Sequence, residues 1–159
     1  MQFQSISFPN WPVLLSIVRS GLAILCIANI NVSSAQNKSN AIPPKAQVDT
    51  VLSNMVNEFN SKMAGTKADE RTIIRFMSYD VKVPTLGYFY STTHYLSTKR
   101  KTLTDQEKKA MWEFHVQKTC TSSFDLFMKL YGLEVVHRFE DSTTGQKLVE
   151  MRIKYSDCT

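Results

Sequence analysis

Two cysteines constrain this chain more than any other feature. Cys120 and Cys158 bracket a segment that reads as a short helix followed by a β-hairpin, and the third cysteine, Cys26, lies far away in an N-terminal apolar stretch. What the pair means depends on the compartment, and the first 35 residues bear on that. Trp11 to Val18 is apolar, Arg19 interrupts, Gly21 to Ile30 is apolar again, and Val32-Ser33-Ser34-Ala35 supplies small residues before a cut after Ala35. Charge, apolar run and small-residue site in that order predict a secretory signal peptide over residues 1–35. The alternative is an uncleaved inner-membrane anchor over residues 11–31, which must carry Arg19 within its span at a cost of a few kcal/mol. A lipoprotein is excluded, because Cys26 follows Leu25 rather than a small residue.

Export gives the cysteines their reading. Once Cys26 leaves with the leader, the mature chain carries an even pair in a periplasmic or secreted setting, where pairing is the default. A Cys120 to Cys158 disulfide closes a loop of about 37 residues, which chain-entropy arguments value at roughly 3 to 4 kcal/mol. A reactive thiol at Cys120 and a metal site are the competing readings. Neither cysteine has a C-x-x-C neighbour, and His94, His115 and His137 have no partner at i, i+4. No metal and no cofactor is therefore expected.

At 159 residues, 43% hydrophobic and 11% aromatic, the chain has the size and composition of one globular domain with its own core. The net charge of +5 and a pI near 9.1 raise the question of nucleic acid or an anionic membrane. The basic residues are interleaved with 14 acids, and the longest basic run is Lys99-Arg100-Lys101. That is a solvated surface rather than a phosphate-binding stripe, so no nucleic-acid partner is expected. Membrane contact is expected only through the leader, should it stay uncleaved.

Residues 36–46 are polar and end at Pro43-Pro44, which predicts a disordered lead-in; residues 47–159 form the expected domain. Val48, Val51, Leu52, Met55, Val56, Phe59 and Met63 recur at three and four, the stripe of an amphipathic helix that ends near Ala64-Gly65. Arg71 to Val83 and Leu86 to Leu96 are rich in β-branched and aromatic residues and flank Pro84-Thr85, so they predict two strands. Thr104-Asp105-Gln106-Glu107 is a capping box and starts a second helix; the hydroxyls of Thr121, Ser122 and Ser123 offer caps for a third, which Gly132 stops. Leu133 to Glu140 and Lys147 to Tyr155 alternate at period two around Asp141 to Gly145, a hairpin. The expected architecture is α+β: an antiparallel sheet of about four strands with helices packed on one face, in the order α-β-β-α-α-β-β.

Candidate functional residues are few. Tyr88, Tyr90 and His94 share a strand face, and His137 lies on an apolar strand face between Val135 and Phe139, so Tyr88, Tyr90, His94 and His137 are the possible lining of a sheet pocket. The plainer reading is a half-buried tyrosine pair under a helix and a hydrogen-bonded core histidine. His115 stands near Ser122, Ser123 and Asp125 in sequence, but helix capping already accounts for those hydroxyls and that acid. No Gly-x-Ser-x-Gly elbow is present, and no catalytic residue is assigned.

Asn60-Ser61-Lys62-Met63 with Asp69 and Thr72, then Cys120-Thr121-Ser122, Gly132, Gly145 and the terminal Asp157-Cys158, resemble a group of small exported bacterial proteins of uncharacterised function. The resemblance spans most of residues 47–158. It departs in a longer leader and in having no proline after Met63. It implies an envelope location and a paired cysteine, with no catalytic residues to carry over. The expected function is a non-catalytic binding or accessory module whose partner is an envelope protein or envelope component. The alternatives are a secreted virulence or inhibitor protein and a small hydrolase with a histidine in a sheet pocket.

Overall fold

The computed structural model describes residues 42–93 and 102–158. The leader and its anchor alternative, like His94, lie outside those residues. Among the described residues no helix is long and apolar enough to cross a membrane.

Helix α1 (Lys45–Met63) buries Val48, Leu52, Met55, Val56 and Phe59, the three-and-four stripe read from the sequence. It leads into strands β1 (Thr72–Asp80) and β2 (Thr85–Thr92), which pair antiparallel. The hairpin turns earlier than the composition suggests. Asp80 Oδ1 accepts from the Lys82 and Val83 amides, an Asx-type turn that outweighs the β-propensity of Val81 and Val83 and leaves both valines exposed.

Helix α2 (Asp105–Cys120) begins at the expected capping box, with Thr104 and Glu107 exchanging both bonds. Helix α3 (Phe124–Tyr131) follows at once and ends at Gly132, whose φ of 66° is the left-handed stop that glycine supplies without strain. Its cap differs in detail: Ser122 Oγ, not Ser123, accepts from the Phe124 amide while donating to the Thr119 carbonyl. Strands β3 (Glu134–Asp141) and β4 (Lys147–Ile153) form the second hairpin, and a 3₁₀ turn over Tyr155–Cys158 closes the chain.

The element order is the expected one, and the class is α+β. The sheet, of order β1-β2-β3-β4, is mixed rather than wholly antiparallel. Each hairpin is antiparallel, but β2 and β3 run parallel, from Thr85 beside Glu134 to Thr92 beside Asp141. The reason lies in the connection. The chain leaves the far end of β2, crosses back through α2 and α3, and enters β3 at the end where β2 began, as a parallel neighbour requires.

The helices cover one sheet face. Ile74, Met77, Leu86, Tyr88, Tyr90, Val135, His137, Phe139, Met151 and Ile153 project into that core with the α1 stripe, Met111, Phe124, Phe127 and Met128. Each large apolar side chain buried there contributes on the order of 1.5 to 3 kcal/mol. The disulfide between Cys120 and Cys158, with Cα atoms 5.3 Å apart, joins the last residue of α2 to the terminal 3₁₀ turn. The clasp therefore holds the end of the second helix.

Candidate functional site

The sheet brings Tyr88, Tyr90 and His137 together on its covered face, because the parallel register sets Tyr88 beside His137 and Tyr90 beside Phe139. Their rings stack: Tyr88 on His137 at 5.1 Å and Tyr90 on Phe139 at 4.5 Å. Helix α2 closes the group from above with His115, whose ring lies 4.2 Å from that of His137. The exposures are 4% for Tyr88, 5% for Tyr90, 6% for His115 and 2% for His137, so the group lies inside the core.

Burial sets the electrostatics. It drives the Tyr88 hydroxyl well above the usual phenol range and does the same to Tyr90, to which the neighbouring Tyr88 adds. It lowers His115 to about 4, and it holds His137 well below the ordinary imidazole value, with His115 adding to the effect. Both imidazoles are therefore neutral in the folded protein at neutral pH. Tyr90 Oη and His137 Nδ1 are 3.4 Å apart. A neutral imidazole can form this contact with Nδ1 as acceptor or as donor, and Nε2 has no hydrogen-bond partner among the described residues.

The sequence argues against a triad at His115, and the structure gives this residue a place in the core. Its closeness to Ser122, Ser123 and Asp125 along the chain gives way to its place on α2, on the same face as the buried Met111 and Thr119. That i−4, i, i+4 spacing was the signal available, and it points to the core. Among the described residues no group of three His, Cys, Asp or Glu side chains could hold a metal ion.

The opposite sheet face carries a second aromatic group that sequence reading missed. Phe76 and Phe89 stack at 4.2 Å with planes 15° apart, and Phe76 is 44% exposed. A β-bulge between Ile74 and Phe76 moves Phe76 onto this face, a shift that simple alternation cannot anticipate. The Phe89 ring lies over Gly87, where an added Cβ would meet its Cε2 at 2.8 Å. Elsewhere Leu126 and Leu130, one turn apart on α3, are exposed beside its buried face.

No family model matches the chain, and no curated protein matches it. The fold is nevertheless shared with solved structures. A protein of Pseudomonas aeruginosa classed as secreted superposes with a TM-score of 0.53 at 12% identity, over 75% of this chain and 100% of that one. The pilotin EpsS of the Vibrio vulnificus type 2 secretion system does so with a TM-score of 0.55 at 12% identity, over 72% of this chain and 94% of the pilotin. At such identity the likeness is one of fold.

Proposed function

We propose that this protein is a non-catalytic accessory module of the bacterial envelope, exported to an oxidising compartment, where it binds an envelope protein or another envelope component. The observation that carries the reading is the closure of the His115, His137, Tyr88 and Tyr90 group. An enzyme of the hydrolase kind needs its histidine open to substrate and water, whereas these four side chains are 6% exposed or less. Their chemistry is that of a packed polar core, and the side chains free to meet a partner are apolar ones such as Phe76, Leu126 and Leu130. The Cys120 to Cys158 bridge suits an oxidising compartment, and a fold shared with a pilotin and a secreted protein supports an accessory role there.

The test is crosslinking of the full chain in intact cells, followed by fractionation and N-terminal sequencing of the recovered protein. A chain processed after Ala35, found in the periplasm or medium and crosslinked to one recurring envelope component, is the expected result. Recovery in the cytosol with reduced cysteines would overturn it. So would a hydrolytic activity that disappears in His137→Phe while the fold, followed by circular dichroism, is unchanged.

A further inference from the structure

The two edges of the sheet are built differently. On β1 the outward backbone groups of Thr72, Ile74 and Met77 are occupied. Asn60 Oδ1 accepts from the Met77 amide at 2.7 Å and Asn60 Nδ2 donates to the Met77 carbonyl at 2.9 Å, so one side chain stands in for a strand. The Ile74 amide donates to Thr66 O and its carbonyl accepts from Gly65 N, while the Thr72 amide and carbonyl are taken up by Asp69 Oδ1 and the Ala68 amide. With the bulge, this is a closed edge.

On β4 the outward groups follow from the register. The Glu134 amide donates to Pro84 O on the β2 side, and the Asp141 amide donates to Gln146 O on the β4 side. Even positions of β3 therefore bond β2, and odd ones bond β4. Val135, His137 and Phe139 face Ile153, Met151 and Val149, so the backbone groups of Glu150 and Arg152 point away from the sheet. Among the described residues nothing bonds them. The strand Lys147–Ile153 contains no proline or glycine.

We propose that β4 is a dimerisation edge, at which a second copy of this chain adds its own β4 antiparallel across a two-fold axis at Met151. The choice of occupant rests on charge. Paired about Met151, Glu150 of each copy stands opposite Arg152 of the other, and Val149 stands opposite Ile153. Pairing about Glu150 sets glutamate against glutamate, and pairing about Arg152 sets arginine against arginine, each unfavourable. In the Met151 register Glu150 and Arg152 form hydrogen-bonded pairs through the outward groups left open on each chain, and the two sheets become one of eight strands. The Arg152 to Glu150 contact of 3.4 Å and the Arg152 to Glu134 contact of 3.5 Å already hold both side chains on the open face, where the second copy meets them. A single strand pair is a small interface, so the dimer belongs to the weak, reversible class.

The experiment uses the mature chain with its disulfide intact. Sedimentation across the micromolar to millimolar range should show a monomer–dimer equilibrium, weakened at least tenfold by Arg152→Glu with the thermal unfolding profile kept as a fold control. Register is read by cysteine pairing, since hydrogen-bonded antiparallel partners lie about 5.5 Å apart at Cα. Glu150→Cys mixed with Arg152→Cys should crosslink as a heterodimer, and Glu150→Cys alone should not. A monomer throughout the range overturns the proposal. A dimer in which Glu150→Cys crosslinks to itself overturns it too, as does a monomer that takes an unrelated extended peptide at this edge.

Discussion

His137 shows what burial does to a single side chain. Its ring is enclosed by Tyr88, Tyr90 and His115, and burial depresses its proton affinity, as it does that of His115. In the unfolded chain both imidazoles titrate near the ordinary value of about 6.5. Below that pH the unfolded state binds protons that the folded state refuses, so stability falls as pH falls. The loss begins at the unfolded value and continues for His115 to about 4, and for His137 down to its own depressed value. Each contributes a slope of up to about 1.4 kcal/mol per pH unit within its window. Between pH 6.5 and 5, where most carboxylates stay ionised, the melting temperature is expected to drop. His137→Phe, which keeps a flat ring in the stack, should remove about half of that drop. Equal drops in the two proteins, measured by thermal unfolding at both pH values, would show that His137 is not the source. The sequence placed His137 on an apolar face correctly, since period-two alternation reports faces. It could not place His115 against it, because that contact depends on how α2 lies across the sheet.

At the scale of elements, α1 is joined to the sheet edge by a side chain acting as backbone. Asn60 matches both the donor and the acceptor of Met77, something neither an aliphatic residue nor a carboxylate can do. Asn60→Ala leaves two partly buried backbone groups without partners and is expected to cost about 1 to 3 kcal/mol. Its signature is local: in hydrogen exchange the Met77 amide should lose protection well before its neighbours in β1. Retained protection would mean that the α1 packing, not the amide, closes that edge. Asn60 belongs to the Asn60 to Met63 motif that the sequence offered only as a resemblance. Its role was illegible there because the partner lies 17 positions away on an element whose register is altered by a bulge.

For the whole molecule, the disulfide is the largest single constraint. It spans a sequence separation of 38 and ties α2 to the terminal turn. Replacing Cys120 and Cys158 together by serine should destabilise the fold by roughly 3 kcal/mol, enough to lower the melting temperature by about 10 °C or more. If the leader and its Cys26 are removed as proposed, thiol titration of the denatured, unreduced chain should find no free thiol. Two free thiols, or an unchanged melting temperature, would show that the bridge is absent or idle. The α+β class, the order of elements and the bridge were legible because caps, turns and alternation are local signals, and the cysteine pair needed only a count. The parallel joint between the hairpins was not, because a strand's own pattern does not reveal the direction of its neighbour.

That joint bears on the order in which the chain emerges. Strand β2 gains its central neighbour only after the crossover through α2 and α3 has been made and β3 has followed it. Until then α1 and the first hairpin lack both the β3 neighbour and the cover of α2 and α3 that complete the core. Long-range parallel pairing is also slow to form, since loop closure precedes its reward. If the chain is exported as proposed, the nascent polypeptide stays loose enough to thread through a narrow translocation channel, and the sheet is completed only on the far side, once its last hairpin has arrived.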